Sequence, residues 1–326
     1  MKKFARIVGT GSYLPPRIIT NSELEKALDT TDEWITSRTG IKERRVVDNQ
    51  STCDLALDAS KKALEMAEIN ASEIDLIILA TTTPDKIFPA TATMLQDRIG
   101  ASCPAFDMQA VCAGFVFALT TAQQYIENEA AKNVLVVGSE TYSRIINWSD
   151  RSTAILFGDG AGAVVLSSDN TTGIMHSKIL SDGKYLSSLH VNNNYINETG
   201  TIEMAGNEVY RIAVSRLSDL AEEMLKDCNM TSDDLAWMVP HQANIRIISA
   251  VAKRINLPMN KVILTIEKHG NTSAASIPLA LDVAVRDGRI KKGDKLLLEG
   301  IGGGFSWGGL ITVSYTHLTL PTNREV

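Results

Sequence analysis

One cysteine of the chain occupies a position where a thiol can act as a nucleophile. Cys112 follows a strand-like run at residues 105–108 and precedes a weakly polar run of helical length at 114–125. At the start of a helix, unpaired N–H groups and the positive end of the helix dipole stabilise a thiolate and lower the thiol pKa. The same N–H groups can bind the oxyanion of a thioester. The alternative is that Cys112 is a small core residue, as we expect for the other three cysteines.

Two polar residues in the second half of the chain could assist this nucleophile. His241 comes directly after a strand-like run at 235–239, and Asn271 lies between an expected strand at 262–266 and an expected helix at 277–285. Loops after the carboxyl ends of strands in open α/β sheets are where functional sites collect. Taken singly, a histidine at a strand end is usually a hydrogen-bonded structural residue, and an asparagine is usually a cap. If the two halves of the chain pack about a pseudo-twofold axis, both side chains could meet the cysteine in one cleft.

The segments that must position these residues alternate between strand and helix patterns. Buried strands are expected at 74–82, 133–137 and 161–166, and a helix with one apolar face is expected at about 53–67. Continuous apolar runs of this length are typical of buried strands, and apolar residues three or four positions apart are typical of helices. The alternation predicts α/β layers with largely parallel sheets.

The order of these elements recurs later in the chain. Aligning the run that starts at Ser72 with the run that starts at Ser232 gives an offset of 160 residues (232 − 72). At this offset Val111, the neighbour of the cysteine, falls on Asn271. Strand and helix recur in every α/β protein, so chance is the alternative to a true internal repeat.

A glycine-rich turn near the end of each half extends the repeat, at a shorter offset than 160 residues. The turns at 157–166 and 302–311 each lead into a strand-like run. The repeat predicts a duplicated α/β unit with one half at 1–170 and the other at 171–313. The tail at 314–326 has neither helical nor strand periodicity, and we predict that it is not native to the protein.

Composition excludes several classes of function. The 326-residue chain is 44% hydrophobic and 21% charged with a net charge of −6, so its overall field does not attract nucleic acid. No run approaches the roughly 18 apolar residues of a membrane span, and no secretory leader is visible. The cysteines are too far apart for a zinc site or a disulfide framework, which favours reduced thiols and a cytoplasmic protein. They are Cys53, Cys103, Cys112 and Cys228.

Five motifs stand in order along the chain. They begin at Val111, Gly158, Val239, His269 and Gly302 and read VCAGF, GDGAGA, VPHQANIR, HGNTSAAS and GGGFSWG. Together they resemble the motifs of the β-ketoacyl-ACP synthase III family, the initiating members of the thiolase-like condensing enzymes. The resemblance implies a thiolase-like duplicated α/β unit, layered α-β-α-β-α, with two mixed sheets and pseudo-twofold halves.

The reaction implied by the resemblance is a decarboxylating condensation of acetyl-CoA, or another short acyl-CoA, with malonyl-ACP. Its products are acetoacetyl-ACP, CO2 and CoA, and it initiates fatty acid biosynthesis. Cys112 would carry the acyl group, while His241 and Asn271 would stabilise the enolate left by loss of CO2. The backbone N–H groups of Cys112 and Gly303 would form the oxyanion hole. The CoA thioester is a substrate in this scheme, and neither a cofactor nor a metal is expected.

The resemblance also implies contacts with coenzyme A. Trp34, Arg38 and Arg151 would hold the adenine and the phosphates, since an indole face stacks on a base and a guanidinium binds phosphate through two hydrogen bonds. The alternative is a half-buried tryptophan beside two solvated arginines. The residues implied along the pantetheine arm are Gly206, Ala243 and Asn244.

An acidic carrier protein needs a basic docking surface. Arg246, Lys253 and Arg254 fall at i, i+7 and i+8 on a helix predicted at 243–255, and therefore on one face. Ordinary solvated surface charge is the alternative. The full set implied for carrier docking is Gln242, Ala243, Asn244, Ile245, Arg246, Lys253 and Arg254.

The acyl group needs an apolar pocket. The resemblance implies Phe157, Leu189 and Met204, with Phe88 contributed by the partner subunit of a homodimer. The alternative is that these apolar residues belong to the hydrophobic core, as apolar residues usually do.

Three other functions compete with this interpretation. One is a related condensing enzyme with a branched-chain or secondary-metabolite starter. Another is a catalytically silent scaffold that binds carrier protein. The third is a degradative thiolase, which pairs its nucleophile with a second active cysteine in the later half of the chain, whereas Cys228 lies between a helix and a strand.

Overall fold

Residues 3–192 and 200–314 are described by the structure, a computed structural model. The strands are β1 Phe4–Tyr13, β2 Arg17–Thr20, β3 Glu43–Val46, β4 Leu76–Ala80, β5 Ala105–Met108, β6 Asn133–Glu140, β7 Gly160–Asp169, β8 Ile174–Ser181, β9 Leu189–Val191, β10 Ile202–Met204, β11 Trp237–Pro240, β12 Lys295–Gly302 and β13 Ser306–Val313. The α-helices are α1 Asn21–Leu24, α2 Asp32–Thr39, α3 Thr52–Ala67, α4 Thr91–Ile99, α5 Gly114–Glu127, α6 Arg151–Ala154, α7 Gly206–Asp227, α8 Ile245–Arg254, α9 Ile266–His269 and α10 Ser276–Arg286.

Two sheets of the same design form the centre of the fold. The first has the order β1-β7-β6-β4-β5, and the second has the order β8-β13-β12-β11. In each sheet the first two pairings are antiparallel and the third is parallel. The second sheet therefore repeats the first four strands of the first sheet with the same directions. This is the duplicated α/β unit that the sequence predicts.

Helices α5 and α10, one from each half, lie between the two sheets. Their apolar side chains share one core with the inner faces of both sheets. Helices α3 and α4 cover the outer face of the first sheet, and α7 and α8 cover the outer face of the second. The predicted α-β-α-β-α layering is confirmed. Burial of both faces explains why the central strands are continuous apolar runs rather than alternating ones.

The same backbone feature opens both central helices. A one-turn 3-10 helix precedes each of them, at Val111–Ala113 and at Ser273–Ala275. The first residue of each turn has a φ of 49°, which is rare for any residue other than glycine. The structural offset between the halves is 162 residues here (273 − 111), so Val111 corresponds to Ser273. The predicted correspondence of Val111 with Asn271 is wrong by two residues.

One expected strand does not form. The apolar residues Val262, Ile263 and Ile266 are buried, as a strand prediction requires. Only Val262 makes a bridge, to Met238, and the segment continues into α9 rather than along a sheet. A strand needs a partner over several residues, and this segment lies beside β11 at a single position.

The predicted foreign tail begins inside the folded part of the chain. Ser314, the first residue of the predicted foreign tail, is buried and exchanges backbone hydrogen bonds with Gly293 and Asp294. The rest of that tail, residues 315–326, lies outside the described residues.

Among the helices of the described part, none combines the length and the hydropathy needed to cross a membrane.

Candidate active site

Cys112 lies in the turn between β5 and α5, at the inner layer where the two halves meet. The strained φ of its neighbour Val111 directs the chain sharply from strand to helix. Gly302, at the end of β12, packs against this turn so closely that a Cβ atom on it would lie 2.6 Å from the Cys112 backbone nitrogen. A glycine is therefore required at position 302 for the cysteine backbone to hold its place.

Cys112 is only 4% exposed. This burial raises its pKa to about 12, although hydrogen bonds from Ser273 and Tyr142 favour the thiolate. The prediction of a lowered pKa is therefore wrong for this state of the protein. The position at a helix start is as expected, but withdrawal of the sulfur from water is the largest influence on its pKa. The resting nucleophile is a neutral thiol.

His241 directly follows β11 and is held from two sides. Its backbone N–H donates to Glu299 of β12 at 2.8 Å, and its Nδ1 lies 2.6 Å from the hydroxyl of Ser276 at the start of α10. Burial lowers the pKa of the imidazole to about 3, so the ring is neutral near pH 7. The backbone N–H of Gln242 also points at the Ser276 oxygen, at 3.3 Å. With Nδ1 engaged by this hydroxyl, Nε2 is the ring nitrogen left for a bound molecule, and it is a donor when the Ser276 hydroxyl donates to Nδ1.

Asn271 is locked in the loop between α9 and α10. Its backbone N–H donates to Leu156, and its carbonyl accepts from Gly158, at 2.8 and 2.9 Å. Its side-chain Oδ1 accepts from the backbone N–H of Ser273 at 2.9 Å. The oxygen of the carboxamide is thus engaged, so the NH2 group is the end that remains available as a donor.

A single cavity of about 410 Å³ brings these three residues together. Cys112, His241 and Asn271 all line it, although they come from widely separated parts of the chain. The sequence predicts this convergence only through the internal repeat. The two donors and the thiol can therefore act on one bound molecule.

Aromatic and basic residues stand where this cavity reaches the surface. The Trp34 ring lies between two guanidinium groups, 4.7 Å from that of Arg38 and 4.9 Å from that of Arg151. Trp34 and Arg38 line the cavity, whereas Arg151 reaches it only through Trp34. The three predicted pantetheine contacts also line the cavity; they are Gly206, Ala243 and Asn244.

A second cavity of about 480 Å³ meets the first at Cys112. Phe157 and Leu189 line both cavities, Met204 lines only the first, and Gly303 lines only the second. The predicted acyl-pocket residue Phe88 lies elsewhere on this chain and is 83% exposed. It lines neither cavity of this chain, so its predicted part in a partner subunit's pocket stays a prediction.

The predicted carrier-docking residues fall into four groups, and three of them lie at or near the surface. Arg246 and Lys253 are exposed on α8, and the Arg246 guanidinium lies 5.3 Å from the Tyr210 ring at the rim of the first cavity. Arg254 is engaged by two acidic residues of α7, Asp219 and Glu222. Ala243, Asn244 and Ile245 are partly buried around the start of α8.

Gln242 does not belong to this surface. It is fully buried, and its amide nitrogen donates to the backbone carbonyls of Pro240 and Ile263. Its amide oxygen accepts from the backbone N–H groups of Thr265 and Ile266. A side chain with every hydrogen bond used inside the protein cannot contact a carrier protein, so the structure contradicts this prediction.

Four polar residues at the site were not predicted from the sequence. Ser276 engages Nδ1 of His241, Tyr142 lines the second cavity together with Cys112, and Ser273 and Glu140 both influence the pKa of the thiol. Glu140 carried a usable signal, because a carboxylate at the end of an otherwise apolar strand must have partners inside the protein, and the loop at 81–83 supplies them. The others are hydroxyls in polar loops, which sequence patterns do not distinguish from ordinary surface residues.

The arrangement defines a class of protein. A thiol next to two neutral hydrogen-bond donors in a deep cavity suits the transfer of an acyl group between thioesters. Among the described residues, no cluster of three or more histidine, cysteine or acidic side chains is placed to hold a metal ion.

Comparisons with known proteins identify the family. The model of 3-oxoacyl-[acyl-carrier-protein] synthase III matches residues 106–183, and that of its C-terminal part matches residues 225–313. A β-ketoacyl-[acyl-carrier-protein] synthase III from Vesicomyosocius okutanii is 72% identical over 311 residues, which cover 95% of this chain and 99% of that protein. One from Neisseria meningitidis serogroup A is 54% identical over 316 residues, with 95% and 99% covered.

A solved structure agrees with these sequence matches. The crystal structure of 3-oxoacyl-[acyl-carrier-protein] synthase III from Aquifex aeolicus VF5 superposes with a TM-score of 0.92 at 44% identity, covering 95% of this chain and 99% of that one. The chain belongs to the β-ketoacyl-[acyl-carrier-protein] synthase III family and is an acyltransferase with the thiolase-like fold.

Proposed function

We propose that this enzyme joins a short acyl-CoA, acetyl-CoA above all, to malonyl-ACP through an acyl intermediate on Cys112. The thiol attacks the thioester carbon, CoA leaves as its thiol, and the acyl group stays on the sulfur. Malonyl-ACP then loses CO2, and the resulting carbon nucleophile attacks the acyl group to give acetoacetyl-ACP. The observation that carries this proposal is the single cavity lined by Cys112, His241 and Asn271.

Decarboxylation requires donors for the enolate oxygen. The Nε2–H of His241 and the NH2 group of Asn271 provide two, because Ser276 and the Ser273 N–H engage the opposite end of each side chain. A neutral imidazole is suited to this role, since it donates without carrying a charge into a dry site. A donor of this kind is worth roughly 10²–10³ in rate.

Acyl transfer requires a separate set of donors. We assign it to the backbone N–H groups of Cys112, which lines both cavities, and of Gly303, which lines the second. Gly302 between them keeps the approach free of a side chain.

Each substrate has its own binding surface in this scheme. The Trp34 ring and the guanidinium groups of Arg38 and Arg151 suit the adenine and phosphates of CoA. Arg246 is the leading candidate for carrier docking, because it is exposed at the rim of the cavity, whereas Arg254 is neutralised by neighbouring acids.

A homodimer completes the acyl pocket in this proposal. Ile87 and Phe88 are 79% and 83% exposed, which is unusual for large apolar side chains. The second cavity has the aromatic and aliphatic lining that an acyl group needs, and Phe88 of the partner subunit would close it. A branched-chain starter remains the second candidate, and competition between acyl-CoA thioesters decides between them.

The cell compartment and the cofactor requirement follow from the same chemistry. All four cysteines are free thiols, and the reaction depends on one of them. We therefore place the enzyme in the cytoplasm, where thiols stay reduced. CoA enters as part of a substrate, and no step calls for a bound cofactor.

Two half-reactions test this assignment separately. Cys112→Ala should abolish the release of CoA from acetyl-CoA yet retain decarboxylation of malonyl-ACP. His241→Ala and Asn271→Ala should lose decarboxylation, by about 10² or more, while Cys112 still takes up the acyl group. Condensation at the wild-type rate by either donor variant would contradict the proposed role.

A further inference from the structure

The guanidinium of Arg44, on β3, lies inside the protein and has no part in the mechanism above. The residue is fully buried, and burial lowers its pKa to about 10, so it still carries its charge at pH 7. The carboxylates of Glu43 and Glu23 act on it through charge alone, without a hydrogen bond. A buried charge that is not paired with an opposite charge is costly. Its presence therefore calls for an explanation in terms of what the guanidinium holds in place.

Three oxygens from separate segments of the chain accept hydrogen bonds from this guanidinium. Its Nη1 donates to the backbone carbonyl of Ile19 at 3.1 Å. Its Nη2 donates to the backbone carbonyl of Ile155 and to the side-chain Oδ1 of Asn21, both at 2.9 Å. These acceptors are neutral, so they satisfy the donors without cancelling the charge. A planar fork of donors suits acceptors in fixed directions, whereas a lysine ammonium is a single point on a flexible stem.

The hydrogen bond to Ile155 leads to Asn271. Ile155 begins the segment 155–158, which forms part of the wall of the first cavity. In this segment the carbonyl of Leu156 accepts from the Asn271 N–H at 2.8 Å, and the Gly158 N–H donates to the Asn271 carbonyl at 2.9 Å. A shift of the segment would therefore move the backbone of Asn271 with it. The guanidinium holds the first residue of this segment.

The aliphatic stem of Arg44 packs against the same junction. A Cβ atom added to Gly158 or to Gly270 would lie 3.1 Å from the Arg44 Cβ, which is closer than ordinary contact. Gly158 ends the segment that binds Asn271, and Gly270 directly precedes Asn271 in the chain. The stem therefore contacts both sides of the junction, while the charge holds one of them by a hydrogen bond.

The hydrogen bond to Asn21 leads to the other end of the cavity. Asn21 is itself buried, and its amide nitrogen donates to the Asp32 carboxylate at 2.8 Å. Asp32 is the first residue of α2, the helix that carries Trp34 and Arg38. The guanidinium is thus connected, through one buried side chain, to the helix that presents the proposed CoA-binding residues.

We infer that Arg44 is a positioning residue that fixes helix α2 and the Asn271 donor relative to each other. The inference rests on the proposed function, which gives α2 a part in CoA binding and Asn271 a part in decarboxylation. Arg44 acts through Asn21 on one side and through Ile155 on the other. In the described part of the chain its hydrogen bonds do not go to the Cys112 turn, so the chemical step of acylation should not depend on it.

The test follows the two half-reactions in Arg44→Lys, which keeps a positive charge but loses the planar fork. The acetyl-CoA concentration for half-maximal acetylation should rise several-fold, and decarboxylation of malonyl-ACP should fall about tenfold, because both partners of the guanidinium shift. Acetylation of Cys112 at saturating acetyl-CoA should stay within about twofold of the wild-type rate. A purely structural residue would lower the melting temperature, or all rates together, without this split.

Arg45→Lys is the matched control, since it makes the same change at the next residue of β3. Successive side chains of a strand point to opposite faces, and the Arg45 guanidinium points at the carbonyls of Pro15 and Pro16, both at 3.4 Å. This variant should keep both half-reactions at wild-type values.

A second variant separates the two connections and serves if Arg44→Lys fails to fold. Asn21→Ala removes the link to α2 but leaves the hydrogen bond from Arg44 to Ile155 in place. The acetyl-CoA concentration for half-maximal acetylation should rise several-fold, while decarboxylation of malonyl-ACP is retained.

The outcomes separate the two levels of the proposal. A wild-type enzyme that takes no acetyl group onto Cys112, or that does not decarboxylate malonyl-ACP, contradicts the proposed function itself. With an active wild-type enzyme, a folded Arg44→Lys variant that is unchanged, or equally slowed in both half-reactions at saturation, overturns only the role of Arg44. An unchanged dependence on acetyl-CoA in Asn21→Ala overturns it as well.

Discussion

Gly302 offers the most quantitative test of the site geometry. In Gly302→Ala, the new Cβ atom would lie 2.6 Å from the Cys112 backbone nitrogen, 2.8 Å from the Cβ of Val111 and 3.0 Å from the carbonyl oxygen of Ala110. Ordinary contact begins at 3.4 Å, so the Cys112 turn must move by about 0.8 Å (3.4 − 2.6). Two of the three atoms belong to the backbone, which cannot turn aside as a flexible side chain does.

A displacement of this size acts directly on catalysis. A misplacement of about 1 Å can cost about 10²-fold in rate, and loss of one oxyanion donor costs about 10²–10³. We therefore expect Gly302→Ala to slow the burst of CoA from acetyl-CoA by at least about 10²-fold. Decarboxylation of malonyl-ACP should fall less, because its donors are the side chains of His241 and Asn271.

The matched control is Gly183→Ala, where the added Cβ meets nothing within 4 Å. Rapid-quench measurement of CoA release compares the two variants, and thermal melting checks that both are folded. A folded Gly302→Ala variant with a wild-type burst would refute the argument that this glycine holds the Cys112 N–H in place.

Three further predictions concern the partners of the site. Ser276→Ala should slow decarboxylation about tenfold while acetylation of Cys112 is retained, because His241 loses the hydrogen bond that holds its ring at Nδ1. Equal losses in both half-reactions would contradict this. The rate of decarboxylation should not change near neutral pH through titration of His241, since its lowered pKa of about 3 keeps the ring neutral until strong acid protonates it. If the rate fell between pH 7 and pH 6, and fell in the same way in Asn271→Ala, His241 would not be acting as a neutral donor. Arg246→Glu should raise the KM for malonyl-ACP several-fold, with the largest effect at low salt. The same charge reversal at the exposed residue Lys61 should leave this KM unchanged. Equal effects of the two reversals would place carrier docking elsewhere.

Much of the fold was predictable because its signals are local. Continuous apolar runs identify the central strands β4, β6 and β7, and the three- and four-residue spacing of apolar residues identifies α3. The internal repeat predicts that Cys112 of the first half can meet His241 and Asn271 of the second half in one cleft. The predicted strand at 262–266 failed because strand formation depends on a partner, which an apolar run does not specify.

The site was predictable in its members but not in its electrostatics. The start of a helix is visible around Cys112, yet the depth of burial that decides its pKa is a property of the whole fold. Gln242 stands beside His241 in a polar motif, and only tertiary structure reveals that its amide holds four backbone groups inside the protein. Glu140 and Ser273 approach the thiol from distant parts of the chain, so no spacing in the sequence relates them to it.

The most direct test of the central claim is peptide mass spectrometry of the enzyme after brief exposure to acetyl-CoA. We predict one acetyl group for each chain, located on the peptide that contains Cys112, and its disappearance when malonyl-ACP is added. An acetyl group on another cysteine, or none on Cys112 in an enzyme that still forms acetoacetyl-ACP, would contradict the account.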